Sequence, residues 1–350
     1  MQVIEAFAEA IKKAGRDGSS IQIKGGGTKD FIGYVAQGLQ VLTTEGYAGV
    51  LDYHPAELIV RVKTGTPVIA LNDLLRSEGQ MLAFEPPVHD ATSTIGGVVS
   101  AGLSGSARPY RGAARDHLLG AGMVLHDGAY CEFGGQVMKN VAGYDVSRLV
   151  CGAYGTLGLL ADVSLKVVPM PELEKTITRE CSIDVARETV KLLSNSVNPL
   201  TASCYFGGTL SVRLSGNAQA VTASEKTLEG TQVDNALWNR LDAQTLPAFQ
   251  NATDVWRLST DADEPLFDYD FAILDWGFAQ RWLLDPTSDP RHGYAGRGHW
   301  TRVRHHQDRF EAEAFQPLSG LELALHRRLK STFDPGGIFN PGRMYREEGL

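Results

Sequence analysis

The chain is short of cysteine, has no long apolar run and carries no surplus of positive charge, and each shortage removes a class of function. Its four cysteines, Cys131, Cys151, Cys181 and Cys204, are scattered, and no Cys-x-x-Cys occurs. A zinc knuckle, a thioredoxin-like site or a ferredoxin-type cluster therefore has no thiolate set here. The cysteines read as small core residues in a reducing compartment. No stretch approaches the roughly 18 apolar residues that span a bilayer, and no basic-then-apolar leader opens the chain. The expectation is a cytoplasmic protein that meets the inner membrane only through a partner. Lys and Arg number 33 against 41 Asp and Glu, a formal net charge of -8, which argues against nucleic acid as a ligand. His305-His306 are adjacent, so in a strand their rings point apart; they read as surface residues, and no metal site is expected.

What the sequence does have is clustered glycine. At 350 residues it is long enough for two packed units, and many of its 38 glycines fall into three groups, Gly25–Gly27, Gly96–Gly112 and Gly152–Gly158. Where no Cβ intervenes, successive backbone N–H groups can converge on a phosphate, and glycine also permits φ > 0. A strand Ile21–Lys24 runs straight into the first group, and Ser93-Thr94 can cap a helix starting at Ile95 in the second. One such loop is usually a turn; three joined by strands point to a large anionic ligand. A Rossmann fingerprint needs a glycine at position 30, which is Asp30. No Walker A loop occurs either.

The remaining pattern organises the chain. Val3, Ile4, Phe7, Ala8 and Ile11 recur at helical spacing, Pro67 starts a helix through Leu71 and Leu75, and Leu159 to Val168 reads as a strand closed by prolines. Gly207-Gly208 joins a hairpin. Residues 286 to 308, rich in Pro, Gly, Arg and His, read as a loop, and Leu318, Leu321, Leu325 and Leu329 as one helical seam.

Several pieces in this order carry a resemblance. They are Lys24-Gly25-Gly26-Gly27-Thr28-Lys29, Glu85-Pro86-Pro87, Thr94 to Gly102, Gln136 to Asp145, Gly155-Thr156-Leu157-Gly158, Asp275-Trp276-Gly277 with Gln280-Arg281-Trp282, and Phe339 to Tyr345. Together they resemble the PCMH-type FAD-binding family of vanillyl-alcohol oxidase and UDP-acetylmuramate reductase, and more narrowly the FAD-binding subunits of bacterial glycolate oxidases. The resemblance implies an α+β fold, with an FAD domain of two small sheets and helices over residues 1–170. A cap domain over 171–285 and a C-terminal segment, 286–350, returning to the FAD domain complete it.

The resemblance also implies a site. Gly25, Gly26, Gly27, Thr28 and Lys29 would hold the FAD pyrophosphate, with Thr94, Gly96, Gly97, Ser100, Gly102 and Ser104 on its other side. Gly155, Thr156, Gly158 and Leu159 would approach the flavin and ribityl chain, with Pro87 and Asn340 also in contact. The FAD is expected to be non-covalent, because relatives with a covalent link use a His in the first loop or a Cys further on, and this chain has neither there. Oxidising a 2-hydroxy acid further requires a base for the hydroxyl proton and a cation for the carboxylate; His299 is the expected base, and Arg281 and Arg343 the expected cations. Related catalytic subunits carry a His-x-x-x-x-x-x-His pattern with a nearby acid that is missing here, so a non-catalytic flavin-carrying subunit stands as the alternative. A reductase for a nucleotide sugar is a third reading. Without cysteine ligands, electrons must pass to partners, which the resemblance implies are a second flavoprotein and an iron–sulfur subunit. Glycolate, or D-lactate, is the expected substrate.

Overall fold

A computed structural model of the chain describes residues 2–135, 144–305, 313–346 and 350. Most of the motif Gln136 to Asp145, and His306, lie outside the described residues. The chain divides into two compact units: Met1–Ser104, Ala113–Val168 and Glu313–Leu350 form the first, and Gly105–Gly112 with Pro169–Ala312 the second.

In the first unit an antiparallel sheet runs in the order Val50–His54, Ile59–Lys63, Leu159–Lys166, Leu118–Val124, Tyr130–Gly134. Its central strand Leu159–Lys166 is buried almost end to end because both faces are covered. On one face Val68–Ser77 and Ile95–Ala101 pack Leu71, Leu75, Val98 and Val99 against Val60, Val62, Val163 and Leu165. On the other, Gln2–Asp17 packs Phe7 and Ile11 against Leu159 and Ala161. A separate parallel pair, Ile21–Lys24 with Gln40–Thr43, carries the first glycine group at its end.

Ile95–Ala101 contains two glycines, each of which weakens a helix by about 1 kcal/mol relative to Ala. Close approach explains one of them: a Cβ on Gly96 would lie 2.5 Å from Thr64 Cβ. Thr94 caps this helix by accepting from Gly97 N–H at 3.2 Å, as its position before the apolar run suggested.

The second unit is built on one antiparallel sheet of eight strands. Its order is Thr231–Val233, Leu173–Glu180, Thr209–Gly216, Leu200–Phe206, Ile273–Asp275, Gln280–Leu284, Val255–Ser259, His299–Arg304. Helix Ile183–Ser194 covers part of it with Ala186, Val190 and Leu193.

Two expectations change. Residues 286 to 308 are not all loop, since His299–Arg304 is the edge strand of this sheet, paired to Val255–Ser259. That strand carries the second unit on to Ala312, past the expected boundary at 285. Its alternation of Trp300 and Arg302 was hidden because Arg302 is buried against Asp254, so a charged residue occupies a core position. Most of the leucine seam lies on helix Gly320–Phe333, as expected, with Leu321 and Leu325 exposed, Leu323, Leu329 and Phe333 half-buried, Phe333 against the core, and Lys330 buried.

Candidate functional site

The cleft of the first unit forms where the loop after Ile21–Lys24 meets the start of Ile95–Ala101. It encloses about 670 Å³ with its open mouth included, and its wall takes in Gly25 to Lys29, Thr94, Gly97, Ser100, Asn340 and Arg343. The glycines are required by the packing behind them. A Cβ on Gly25 would meet Thr94 Oγ1 at 2.5 Å, and one on Gly26 would overlap the Thr92 carbonyl oxygen at 1.8 Å. Gly27 has φ 71, where side chains are strained. The loop is thus pressed flat against its support, leaving backbone on the cleft side.

Into this cleft projects a buried lysine. Lys29 is 7% exposed, and its ammonium donates to Thr28 Oγ1 at 3.0 Å, which in turn lies 3.0 Å from Ser93 Oγ. Burial pulls its pKa down to about 8, with the Asp90 carboxylate pulling back in part. A cation held this way, with one neutral hydrogen-bond partner among the described residues and glycine backbone beside it, is matched to a diphosphate, whose oxygens accept charge-assisted hydrogen bonds. The residues therefore fit the phosphates of a dinucleotide.

The pKa gives a testable consequence. Phosphate binding needs Lys29 protonated, so FAD affinity should hold below pH 8 and weaken as pH rises through that value, by up to about tenfold per unit. Lys29→Met should lose about 10- to 100-fold in affinity at neutral pH and flatten this dependence, as measured by titrating apoprotein with FAD from pH 6 to 10.

The C-terminal turn locks the cleft. Asn340, at φ 42, accepts from Ile23 N–H at 2.7 Å and donates to Tyr154 C=O at 2.7 Å, so one side-chain amide ties the first glycine strand to the Tyr154-Gly155 turn. Gly155, at φ 69, passes so close that a Cβ would sit 2.8 Å from Asn340 Nδ2. Beneath it, buried Lys330 donates to Thr156 C=O and Phe339 C=O, each at 2.8 Å, and to Asp334 Oδ2 at 2.7 Å. Arg343 donates to Tyr34 C=O at 2.9 Å and Lys29 C=O at 3.1 Å. It braces the Lys29 loop with one N–H of each terminal nitrogen while lining the cleft.

Other expected contacts stand behind this wall. Gly155 and Gly158 line a small neighbouring void with Ser100. Thr156 turns its hydroxyl to Ala153 C=O at 2.7 Å, and Ser104 Oγ accepts from Ala114 N–H at 2.9 Å. Gly102, at φ 64, ends Ile95–Ala101 against Gly152. Gly96 packs on Thr64, and Leu159 and Pro87 are buried. Sequence reasoning missed Tyr154, at φ 51 on the cleft wall, and Lys330, in the helix read only by its leucines. Only the Gly-Thr-Leu-Gly that follows Tyr154 hinted at a strained turn.

The other two expected catalytic residues belong to the second unit. Arg281 is fully buried, and its guanidinium donates to the carbonyls of Phe278 at 3.1 Å, Pro265 at 2.6 Å and Glu264. Every nitrogen of its fork is thus spent on backbone, so it braces a loop and does not present itself to a carboxylate. His299 opens the edge strand and is exposed, while partial desolvation of its ring, then Arg257 and Arg108, hold its pKa below the usual value.

A cross-strand row runs inward from it through Ser259 and Gln280 to Asp275. Asp275 is fully buried and its pKa is pushed up to about 8 by desolvation, despite a hydrogen bond from Gln280 Nε2 at 3.0 Å. Among the described residues its Oδ1 and Gln280 Oε1 have no hydrogen-bond partner, and the Trp282 indole also acts to lower the acid's pKa in part. Such an acid is protonated in the fold but ionises in the unfolded chain, so stability is fully present below about pH 4 and is lost as pH rises towards 8. Asp275→Asn should remove that loss, and thermal melts from pH 5 to 8 should show a flatter Tm in the variant.

Among the described residues no group of three His, Cys, Asp or Glu could hold a metal ion, and no helix is long and apolar enough to cross a membrane. A family model described as FAD binding domain matches residues 2–134. The glycolate oxidase subunit GlcE of Escherichia coli (strain K12) is 38% identical over 98% of this chain and 97% of its own length. The glycolate oxidase subunit GlcD of Bacillus subtilis (strain 168) is 26% identical over 85% of this chain and 78% of its own. A solved alkyldihydroxyacetonephosphate synthase superposes with a TM-score of 0.65 at 15% identity, over 94% of this chain and 74% of that one, which supports the α+β fold alone. The first unit is accordingly a PCMH-type FAD-binding domain, its cofactor is FAD, and the chain belongs to the family of the glycolate oxidase subunit GlcE.

Proposed function

We propose that this chain is the FAD-binding subunit of a glycolate oxidase complex, taking part in the oxidation of glycolate, or of D-lactate, to the 2-oxo acid. Supporting this are its likeness along nearly the whole length to an E. coli glycolate oxidase subunit and shorter likenesses to D-lactate dehydrogenases. The observation that carries it is Lys29, a buried cation beside amides that glycine leaves bare.

In this reading Gly25 to Thr28 donate backbone N–H groups to the diphosphate, and Lys29 neutralises it. Thr94, Gly97 and Ser100 form the opposite wall, Asn340 fixes the loop geometry, and the cofactor is held without a covalent bond. The bound flavin supplies an acceptor for hydride from the substrate's α-carbon. His299 is the base: its lowered pKa leaves the ring neutral near pH 7 and able to take the hydroxyl proton. A second flavoprotein and an iron–sulfur subunit receive the electrons, and any attachment to the inner membrane goes through them.

A second reading, a flavin-carrying relay subunit, is favoured by a specific observation. Arg281 is fully buried and directs all three of its nitrogens at backbone carbonyls, which withdraws one of the two expected cations from a substrate carboxylate. Anaerobic reduction separates the two. Glycolate bleaching the flavin of the isolated chain supports catalysis; bleaching by dithionite but not by glycolate supports the relay.

A further inference from the structure

The eight-stranded sheet of the second unit has two unlike faces. Residues directly opposite on paired strands share a face, so Leu258 and Leu274 lie on one side and His299, Ser259, Gln280 and Asp275 on the other. The second side is polar even where it is buried: Gln280 is 4% exposed and Asp275 2%. Among the described residues Gln280 Oε1 and Asp275 Oδ1 have no hydrogen-bond partner, and burying a polar group without one costs stability. A fold keeps such a row where something other than packing requires it.

The outer end of the row is accessible and basic. Arg257 pairs with Thr301, two residues on from His299, which itself pairs with Ser259. The arginine is therefore the diagonal neighbour of the histidine on the same face, about 7–8 Å away and within reach of a long side chain. Arg257 and Ser259 are half-buried, and His299 is exposed. A second arginine comes from the segment Gly105–Gly112. The Arg108 guanidinium lies 4.6 Å from the Trp276 ring, and Ser106 pins the segment by donating to Asp242 Oδ1 at 2.7 Å. Desolvation, and then the charges of Arg257 and Arg108, hold the His299 ring towards its neutral form. Further along the row Asp275, pushed up to about 8 by desolvation with Asp242 adding to it, contributes little negative charge at neutral pH. All of these residues belong to the second unit.

We propose that Arg257, with Arg108 as a second charge, binds the carboxylate of the substrate whose hydroxyl meets His299. The proposal deepens the oxidoreductase reading above and rests on it for the substrate class. A 2-hydroxy acid carries its carboxylate and hydroxyl on adjacent carbons, so a cation and a base on diagonal neighbours can engage both at once. A guanidinium suits the carboxylate because its fork can donate two parallel hydrogen bonds. This fills the place that Arg281, spent on backbone carbonyls, leaves open. The arrangement also gives the histidine two states. In the free chain the arginines disfavour the imidazolium; a bound carboxylate offsets their charge, so the ring gains basicity when the hydroxyl proton has to be taken.

The test uses the full-length, FAD-loaded chain and oxalate, which sets a carboxylate beside a second oxygen-bearing carbon and has no hydrogen on carbon to lose. Calorimetry should show oxalate binding that Arg257→Gln weakens by at least about 30-fold, the range for removing one partner of a hydrogen-bonded charge pair. Arg108→Gln should weaken it about fivefold, as for an exposed charge. Arg179→Gln, at the far end of the same sheet, should leave it unchanged. Histidine NMR gives a reading that needs no change at Arg257. Saturating oxalate should raise the pKa of His299, whose signal is identified by its loss in His299→Gln, by about one unit. A wild-type chain that does not bind oxalate, or a His299 pKa that oxalate leaves in place, would overturn the proposal. So would binding by Arg257→Gln within about threefold of wild type. If glycolate fails to bleach the flavin but oxalate binding still depends on Arg257, the catalytic reading falls and the carboxylate site stands. If glycolate bleaches the flavin and Arg257→Gln binds oxalate as before, the site falls and the catalytic reading stands.

Discussion

Gly26→Ala should yield a folded protein that no longer retains FAD, with affinity reduced by at least about 100-fold. The reason is local and steric. The added methyl would sit 1.8 Å from the Thr92 carbonyl oxygen and 2.6 Å from its carbon, and both are backbone atoms that no rotamer change can move aside. The loop must lift from its support, and with it go the Thr92 hydroxyl bond to Gly26 C=O at 3.2 Å and the alignment of neighbouring amides. Losing two well-aligned charge-assisted hydrogen bonds accounts for roughly 3 kcal/mol, which is the stated factor. Gly320→Ala is the control, since nothing lies within 4 Å of its added carbon and its φ is ordinary. Equilibrium dialysis against FAD, with circular dichroism to verify folding, checks both.

Lys330→Met should destabilise the first unit by about 3–5 kcal/mol, the range for breaking a buried ion pair by removing one partner. The lysine's three hydrogen bonds go to Thr156 C=O, Phe339 C=O and Asp334, and its loss strands the Asp334 carboxylate in the interior. Asp334 also accepts from the N–H groups of Ile338 and Phe339, each at 2.9 Å, so the turn leading to Asn340 is built on this one pair. FAD affinity should fall with stability, because Asn340 then loses its fixed position. Lys330→Met/Asp334→Asn should recover part of the stability by removing the orphaned charge while keeping an acceptor for the turn. Urea denaturation of the apoproteins measures the first effect, and FAD titration the second.

How much of this was legible beforehand follows from where the physics is local. The first glycine group, the Thr94 cap and the hairpin at Gly207-Gly208 are set by neighbours in sequence, and each was readable from residue type and spacing. The FAD-binding fold and cofactor were readable too, because the glycine groups occur in a specific order. The fate of the arginines was not. Whether Arg281 faces a ligand or three carbonyls depends on Glu264 and Pro265, which reach it only through tertiary folding. Lys330 was overlooked for a related reason. A helix read only by its leucines says nothing of its lysine, and only the convergence of Thr156 and Phe339 on one point makes it a buried clamp. The edge strand His299–Arg304 was masked by Arg302, whose burial against Asp254 no periodicity reveals.

The central claim is that bare amides and Lys29 grip a diphosphate. Parallel calorimetric titration of the apoprotein with FAD and with riboflavin, which shares the ring system and lacks the phosphates, addresses it most directly. FAD should bind at least about 100-fold more tightly than riboflavin, and Lys29→Met should narrow that gap. Equal affinity for the two ligands, or a gap that the substitution leaves untouched, would contradict it.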